Sequence, residues 1–448
     1  RRPEPSSSDL ETRLATDTLN GGGMGHRPVR VSWEVAFDPQ MKKVIRRGAT
    51  IAHPRSGHAV NAVAQGLPSD CWLYYRFYAR GQASRLGRTR TFPSRWDHAR
   101  QMRFAVANCQ NYTGGYYTAY RDMLSQDLDF VVHVGDYMYE GGAQSSPILE
   151  ARNHNGPETF SVEEYRNRYA LYRLDPDLQD VHAELPFITT WDDHEVDNNY
   201  AGLVAEDGAP YTGNDFIDRR RNAYQVYAET MPLRPRNRLG ARRGSLNLAR
   251  KLEFGDLADL HVLDTRQFRD DQPAGDGFGS TDTPPPAVEQ LLEGVFGEEL
   301  FDQAGIEDPA ASMLGWRQEL WLARNLWRSR ARWNVLAQSV MVMQWNLVEA
   351  ARLTAAAQIG QLPPQQQAAI QQALSTLTNV LNVDAWDGYQ ANRERLFHVL
   401  EALRPSNPVV LTGDIHSAWG ANLLEDFSDP SSDVIAAEFV SSSISSTF

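Results

Sequence analysis

Four apolar runs in this 448-residue sequence end abruptly in side chains that bind metal ions. Phe104-Ala-Val-Ala-Asn leads into Cys109, and Asp129-Phe-Val-Val-His-Val-Gly leads into Asp136 and Tyr139. Phe187-Ile-Thr-Thr-Trp leads into Asp192, Asp193 and His194, and Pro408-Val-Val-Leu-Thr-Gly into Asp414 and His416. Thiolate, phenolate and carboxylate together donate strongly to a trivalent iron, whereas Mg2+ or Ca2+ alone has little use for sulfur. Asp193 and Asp414 are hard oxygen ligands suited to a second, divalent ion. Two ions roughly 3.5–4 Å apart generate a hydroxide and neutralise a phosphoryl group, the two things that hydrolysis of a phosphate ester needs. Asp136 is the candidate for a carboxylate between them, because Gly135 lets the backbone turn sharply at the strand end. His416, two residues beyond Asp414, points the same way and can reach the first ion. None of these residues is specific singly; the order of the four clusters is the signal.

To meet, the four runs must be buried strands that deliver their ends to one crevice at the carboxyl edge of a sheet. Helical spacing is expected over Thr113–Gln126, Val162–Arg173, Phe216–Met231, Leu314–Arg328 and Asn392–Leu403. Further strands are expected at Asp259–Asp264, Trp333–Gln338 and from Val434. Strand alternating with helix makes a parallel or mixed sheet covered on both faces, an α/β (α+β) class of fold. Upstream, Val29–Ala36 and Trp72–Ala79 alternate apolar and polar with turn residues between, as in a small antiparallel sandwich. The expected division is a mobile polar arm (1–25), a β-sandwich domain (26–93) and a catalytic domain (94–448). The last carries a helical hairpin at 348–380, rich in Ala and Gln and broken at Gly360 and Pro363-Pro364, which reads as a packing appendage. Asp271–Pro286 is a long loop. On the helix from Val162, Arg166, Arg168 and Arg173 either meet a phosphate or form a solvated, ion-paired face.

The net charge of −13, from 44 basic and 57 acidic residues, argues against a nucleic-acid-binding surface. It does not argue against phosphate chemistry, since metal ions bring local positive charge. Two cysteines, Cys71 and Cys109, do not make a disulfide framework, though a bridge between them is the bland reading. No run of about 18 apolar residues occurs, so no transmembrane segment is expected. Arg1-Arg-Pro-Glu-Pro opens the chain without Met or an apolar signal segment, so the chain looks processed or truncated.

The clusters, in this order, resemble the PhoD-like alkaline phosphatase and phosphodiesterase family of the metallophosphoesterase and purple acid phosphatase group. The likeness lies in Ala-Asn-Cys109-Gln, Val-Gly-Asp136-Tyr-Met-Tyr139-Glu, Trp333-Asn-Val-Leu-Ala-Gln338, Asp384-Ala-Trp-Asp-Gly-Tyr389 and Thr-Gly-Asp414-Ile-His416-Ser. Most specific is Trp-Asp192-Asp193-His194-Glu-Val-Asp-Asn198-Asn199-Tyr. The resemblance implies a four-layer core of sheets between helices behind a small β-sandwich. It implies Fe3+ held by Cys109, Asp136, Tyr139 and His416, with Asp136 bridging to Ca2+ or another divalent ion held by Asp193, Asp414 and Gln338. It implies that His194 contacts the phosphoryl group or protonates the leaving oxygen, and that Asn198 and Asn199 support substrate or a further Ca2+.

The expected protein is therefore a monomeric hydrolase of phosphomonoesters or phosphodiesters that uses a metal-bridged hydroxide. It is secreted, periplasmic or held at the cell surface, with twin-arginine export inferred from the family, since no such signal stands in this sequence. One alternative is a phospholipase D acting on choline phospholipids over an apolar surface of Trp345, the hairpin and Trp386. Another is a secreted metal-containing binding protein without catalysis. Departures from the family pattern are the missing first strand, an early end after Phe439-Val-Ser-Ser-Ser and a longer hairpin.

Overall fold

The computed structural model describes residues 25–143, 152–238, 240, 243–273, 275–296, 301–346, 363–375, 377 and 379–446. The arm at 1–24 and the first half of the expected hairpin lie outside the described residues.

Five antiparallel strands come first: β1 (Val29–Ala36), β2 (Val44–Ala52), β3 (Trp72–Ala79), β4 (Gln82–Ala83) and β5 (Gly87–Arg90). Their order is β2-β1-β3-β4, with β5 also on β3. The alternation of β1 buries Val29, Val31 and Val35, as its period of two requires. The described strands pair into a single sheet, because residues 57–71, punctuated by Gly57, Gly66 and Pro68, form none. Arg85 pairs with Asp180 at 2.5 Å, and Arg166 donates to the Arg55 carbonyl. Both contacts tie this sheet to the helices beyond it.

Next come β6 (Phe104–Ala107), β7 (Phe130–His133), β8 (Phe187–Thr189), β9 (Arg250–Phe254), β10 (Ala258–Val262) and β11 (Phe278–Gly279). The remaining strands are β12 (Trp333–Ala337), β13 (Leu381–Asn382), β14 (Pro408–Thr412), β15 (Trp419–Leu424) and β16 (Val434–Val440). A parallel sheet β6-β7-β8 faces a mixed sheet β15-β16-β14-β12-β10-β9. Between them Phe130, Val132 and Ile188 pack against Leu260, Val262, Val335 and Leu411. Outside the first sheet, Ala107 and Val131 meet Tyr165, Tyr169 and Tyr172 of the helix Val162–Tyr172 and the helix Asn214–Thr230. Outside the second, Leu336 and Val410 meet the helices Trp316–Arg328 and Gln390–Leu403. The result is the expected four layers, with each sheet apolar on both faces because both are covered.

The expectation that the four ligand-bearing runs share one sheet is corrected: they come from two. β6, β7 and β8 lie in the first and β14 in the second, so the crevice opens where the carboxyl ends of two sheets meet. The edge strands β9 and β15 run antiparallel to their neighbours and were not anticipated. The helix expected over Thr113–Gln126 is cut to Thr118–Ser125, because Gly115 takes φ 143° after a turn at Tyr112–Gly114. Of the hairpin, the helix Pro364–Leu374 is described. Its Ile370 and Leu374 pack on Leu292 of the unanticipated helix Pro286–Phe296. Among the described residues no helix is long and apolar enough to cross a membrane.

Candidate metal centre

Three of the four strands, β6, β7 and β14, end in a turn that an ordinary side chain disfavours. Cys109, Asp136, Asp414 and His416 have φ of 50°, 56°, 69° and 56°, a left-handed backbone that costs on the order of 1–3 kcal/mol each and persists only where the surroundings enforce it. Gly135 has φ 131°, and a Cβ there would stand 2.4 Å from the Cβ of Asp192. Only glycine lets the turns after β7 and β8 approach this closely. The turns also hold one another: Cys109 N–H donates to the Gly135 carbonyl and Gln110 N–H to that of Asp136. The Glu195 carboxylate, buried, accepts the N–H groups of Asp136 (3.1 Å), Tyr137 (2.6 Å) and Asp192 (2.8 Å).

These turns bring together three overlapping sets of ligand atoms, each within 4.8 Å: Cys109, Asp136 and His416; Asp136, Asp193 and His194; and Asp192, Asp193 and Asp414. Asp136 and Asp193 each belong to two sets. The Tyr139 hydroxyl joins the first, 3.0 Å from Asp136 Oδ2 and 3.2 Å from His416 Nε2. Cys109 Sγ lies 3.4 Å from Asp136 Oδ2. Asp136 Oδ1 and Asp193 Oδ1 are buried without a hydrogen bond. Burial, then the neighbouring Asp193, pushes the Asp136 carboxyl well above its usual range. Burial and the charge of Asp136 likewise push up the Cys109 thiol. Orphaned acceptors among crowded acids are a defect in a protein that binds nothing and a preformed cradle for cations, so the donor set fits metal ions.

His194 Nδ1 lies 2.8 Å from Glu140 Oε2, and its ring covers that of Tyr139 with centroids 4.1 Å apart. Burial works against its charge, but Glu140, Asp193 and Asp136 outweigh it and lift the imidazole well above its usual range. Asn198 and Asn199 stand beside this pair as part of its support. Asn198 N–H donates to Glu140 and its amide to Glu206, whereas Asn199 N–H donates to Asp193 Oδ2 and its amide to the Asp276 carbonyl. Gln338 is buried, its amide donating to the Val340 carbonyl at 2.5 Å and its oxygen 3.4 Å from the Trp386 indole nitrogen.

Arg168 is a correction. Rather than facing a phosphate, it is buried and donates to the carbonyls of Tyr139, Gly141 and Pro157. A helix residue pointed at a strand-end loop meets orphan carbonyls before solvent. Arg166 pairs with Glu229, and Arg173 donates to the Thr230 carbonyl. Trp386 is fully buried core, and Trp345 packs against Trp419 at 5.2 Å.

The residue that sequence reasoning missed is Arg266, just after β10. Its guanidinium donates to Asp192 at 2.5 Å and to both oxygens of Asp384 at 2.6 and 2.7 Å, and stands 3.7 and 3.6 Å from Asp193 and Asp414. Burial opposes its charge, and the surrounding carboxylates restore it. It also holds Asp193 below the usual carboxylate range against the opposing effect of burial. Asp384, in a segment already singled out, was the available pointer: a buried acid needs a cation. Cys71 and Cys109 are free thiols, so the bridge does not form.

The model of the PhoD-like phosphatase family matches residues 104–448, and that of its N-terminal domain residues 2–93. Alkaline phosphatase D of Bacillus subtilis (strain 168) is 40% identical over 446 residues, which is 99% of this chain and 68% of the relative. A solved structure of PhoD superposes with a TM-score of 0.81 at 39% identity, covering 96% of this chain and 73% of that one. The relationship decides against a non-catalytic binding protein and lends no separate weight to a phospholipase D. A metal-dependent hydrolase of phosphoric esters, the chain belongs to the PhoD-like phosphatase family.

Proposed function

We propose that Asp136 is shared by two metal ions. Cys109, Asp136, Tyr139 and His416 would hold Fe3+, and Asp193 with Asp414 would hold Ca2+ or a similar ion. The observation that carries this reading is Asp136 itself, which lies in two ligand sets at once with a buried oxygen that nothing satisfies. Thiolate and phenolate on the first side favour a trivalent ion, and the carboxylates of Asp193 and Asp414 on the other favour a divalent one. Bound there, the pair supplies a hydroxide nucleophile and neutralises phosphoryl oxygens.

The chain's own residues do the rest. Glu140 holds Nδ1 of His194, leaving Nε2 to donate a proton to the leaving oxygen. The Tyr139 ring fixes the plane of that imidazole. Arg266 holds Asp192, Asp193 and Asp384 in place with one guanidinium. Gln338 is a further ligand candidate, whose carbonyl oxygen must leave the Trp386 indole to serve. Asn198 and Asn199 act by holding Glu140 and Asp193. The domains at 26–93 and 94–448 work as one monomer outside the cytoplasm, a reading that rests on likeness to the family.

Asp136→Ala tests the bridge. The variant is expected to lose bound metal and aryl phosphate hydrolysis together, with the far-ultraviolet circular dichroism unchanged. Full metal content and rate in the variant would rule the assignment out.

A further inference from the structure

The helix Trp316–Arg328 is apolar on two separate faces, and only one of them is covered. Leu322 and Leu326 point into the core beside the second sheet. Trp316, Leu320 and Trp327 remain 65%, 63% and 68% exposed. At 3.6 residues per turn these three fall within about 40° of one another, centred about 120° round the helix from the two leucines. Three exposed large apolar side chains in one file are a patch, not scatter.

Charge says what covers it. Arg317, Arg324 and Arg328 form a second file about 80° round from the first, and Arg330 and Arg332 follow directly. The segment 316–332 thus carries five arginines against one acid, Glu319, in a chain whose net charge is −13. Glu319 is turned inward, accepting from Ser312 at 2.6 Å. Among the described residues, Arg332 alone of the five forms an ion pair, with Asp256 at 3.9 Å. Arg317 lies over the Trp316 ring, 5.2 Å from its centroid. A tryptophan at each end, leucine between and arginines alongside is the pattern of a helix lying in a lipid interface with an anionic surface. A groove of about 650 Å3 beside Trp316, lined by Leu248, Phe268, Leu314 and Trp321, continues the apolar surface.

We propose that this face docks the protein on an anionic lipid surface through Trp316, Leu320 and Trp327, with Arg317, Arg324 and Arg328 against the headgroups. The contact is firm rather than loose, because Gln318 on the same helix donates to the Asp264 carbonyl at 2.7 Å and accepts its N–H at 2.9 Å. Asp264 in turn accepts from the Trp191 indole, one residue before the ligand-bearing turn. Docking therefore fixes the orientation of the crevice relative to the surface without touching any metal ligand.

The test is flotation of the whole protein with phosphatidylcholine vesicles, with and without phosphatidylglycerol, at low and high salt. Binding is expected to the anionic vesicles only and to fall with salt. Arg317→Gln/Arg324→Gln/Arg328→Gln lowers it roughly a hundredfold, as does Leu320→Ser/Trp327→Ser, while the rate on a soluble aryl phosphate stays unchanged in both. Absent wild-type binding, or binding undiminished in the triple variant, overturns the proposal. A dimer in solution that Leu320→Ser dissolves, with no vesicle binding, assigns the face to a second copy. Binding to a soluble polyanion such as dextran sulfate but to neither vesicle assigns it to a polymer. Either result rejects the lipid surface while leaving the metal centre intact.

Discussion

Glu195 contributes no ligand, yet its removal is expected to weaken both the fold and the metal site. Its carboxylate accepts three backbone N–H groups that belong to two different ligand-bearing turns, those of Asp136 and Tyr137 after β7 and of Asp192 after β8. Burial pushes its own carboxyl up to about 8, so the acid is kept there at a cost. In Glu195→Ala the three buried donors lose their acceptor. Each orphan costs about 1–3 kcal/mol, and relief of the buried acid offsets part, leaving roughly 3 kcal/mol net. For 448 residues the unfolding entropy is on the order of 1 kcal/mol per degree, so the melting temperature should drop by about 3 °C. The larger effect is on metal: groups that orient ligands typically contribute about 10–100-fold in affinity. Calorimetry with a metal titration reads both. A variant with wild-type melting and wild-type metal affinity would show that the turns hold themselves and that the argument from Glu195 is wrong.

Glu140→Gln should lower kcat about 10–100-fold with metal content unchanged, since it takes the charged partner from His194 but no ligand from the metals; equal rates would free His194 of that role. Dialysis against a chelator should abolish hydrolysis while circular dichroism persists, and added metal should restore it; loss of the fold instead would make the ions structural. Arg168→Met should destabilise the fold by about 2–4 kcal/mol through three orphaned carbonyls, without a selective rise in KM. A raised KM at unchanged stability would return Arg168 to the substrate. Burial depresses His133 to about 3 and His261 to about 4, so both stay neutral in the fold. The stability they allow is present above the unfolded value near 6.5 and is lost as pH falls toward 3–4, by about 1.4 kcal/mol per unit each. Urea midpoints at pH 7 and 5 should show His133→Gln losing about 2 kcal/mol less than wild type over that interval, and an equal loss would contradict the assignment.

Much was legible because the informative residues are local. Cys109, Asp136, Asp193 and Asp414 each follow a short apolar run, and burial on both faces makes such a run continuous rather than alternating. Helices with a strong 3.6-residue period, such as Asn214–Thr230 and Trp316–Arg328, were legible to within about two residues. What was not legible depended on partners distant in the chain. β9 and β15 are strands because a neighbouring edge offers hydrogen bonds, not because their own residues insist. Arg168 and its neighbours look like any basic helix face, and only the loop that happens to lie against Arg168 turns it inward.

The sequence by itself determined which side chains are available for metal chemistry and that each stands at a strand end, since residue type and hydrophobic period are properties of a few neighbours. The tertiary structure alone decided that these ends come from two facing sheets. It decided too that Arg266 stands among four carboxylates 73 to 148 residues away along the chain, and that Glu195 joins two turns. Those arrangements come from burial, where an unpaired donor or charge costs more than a surface pairing yields, and no local pattern reports which distant group will be there to answer it.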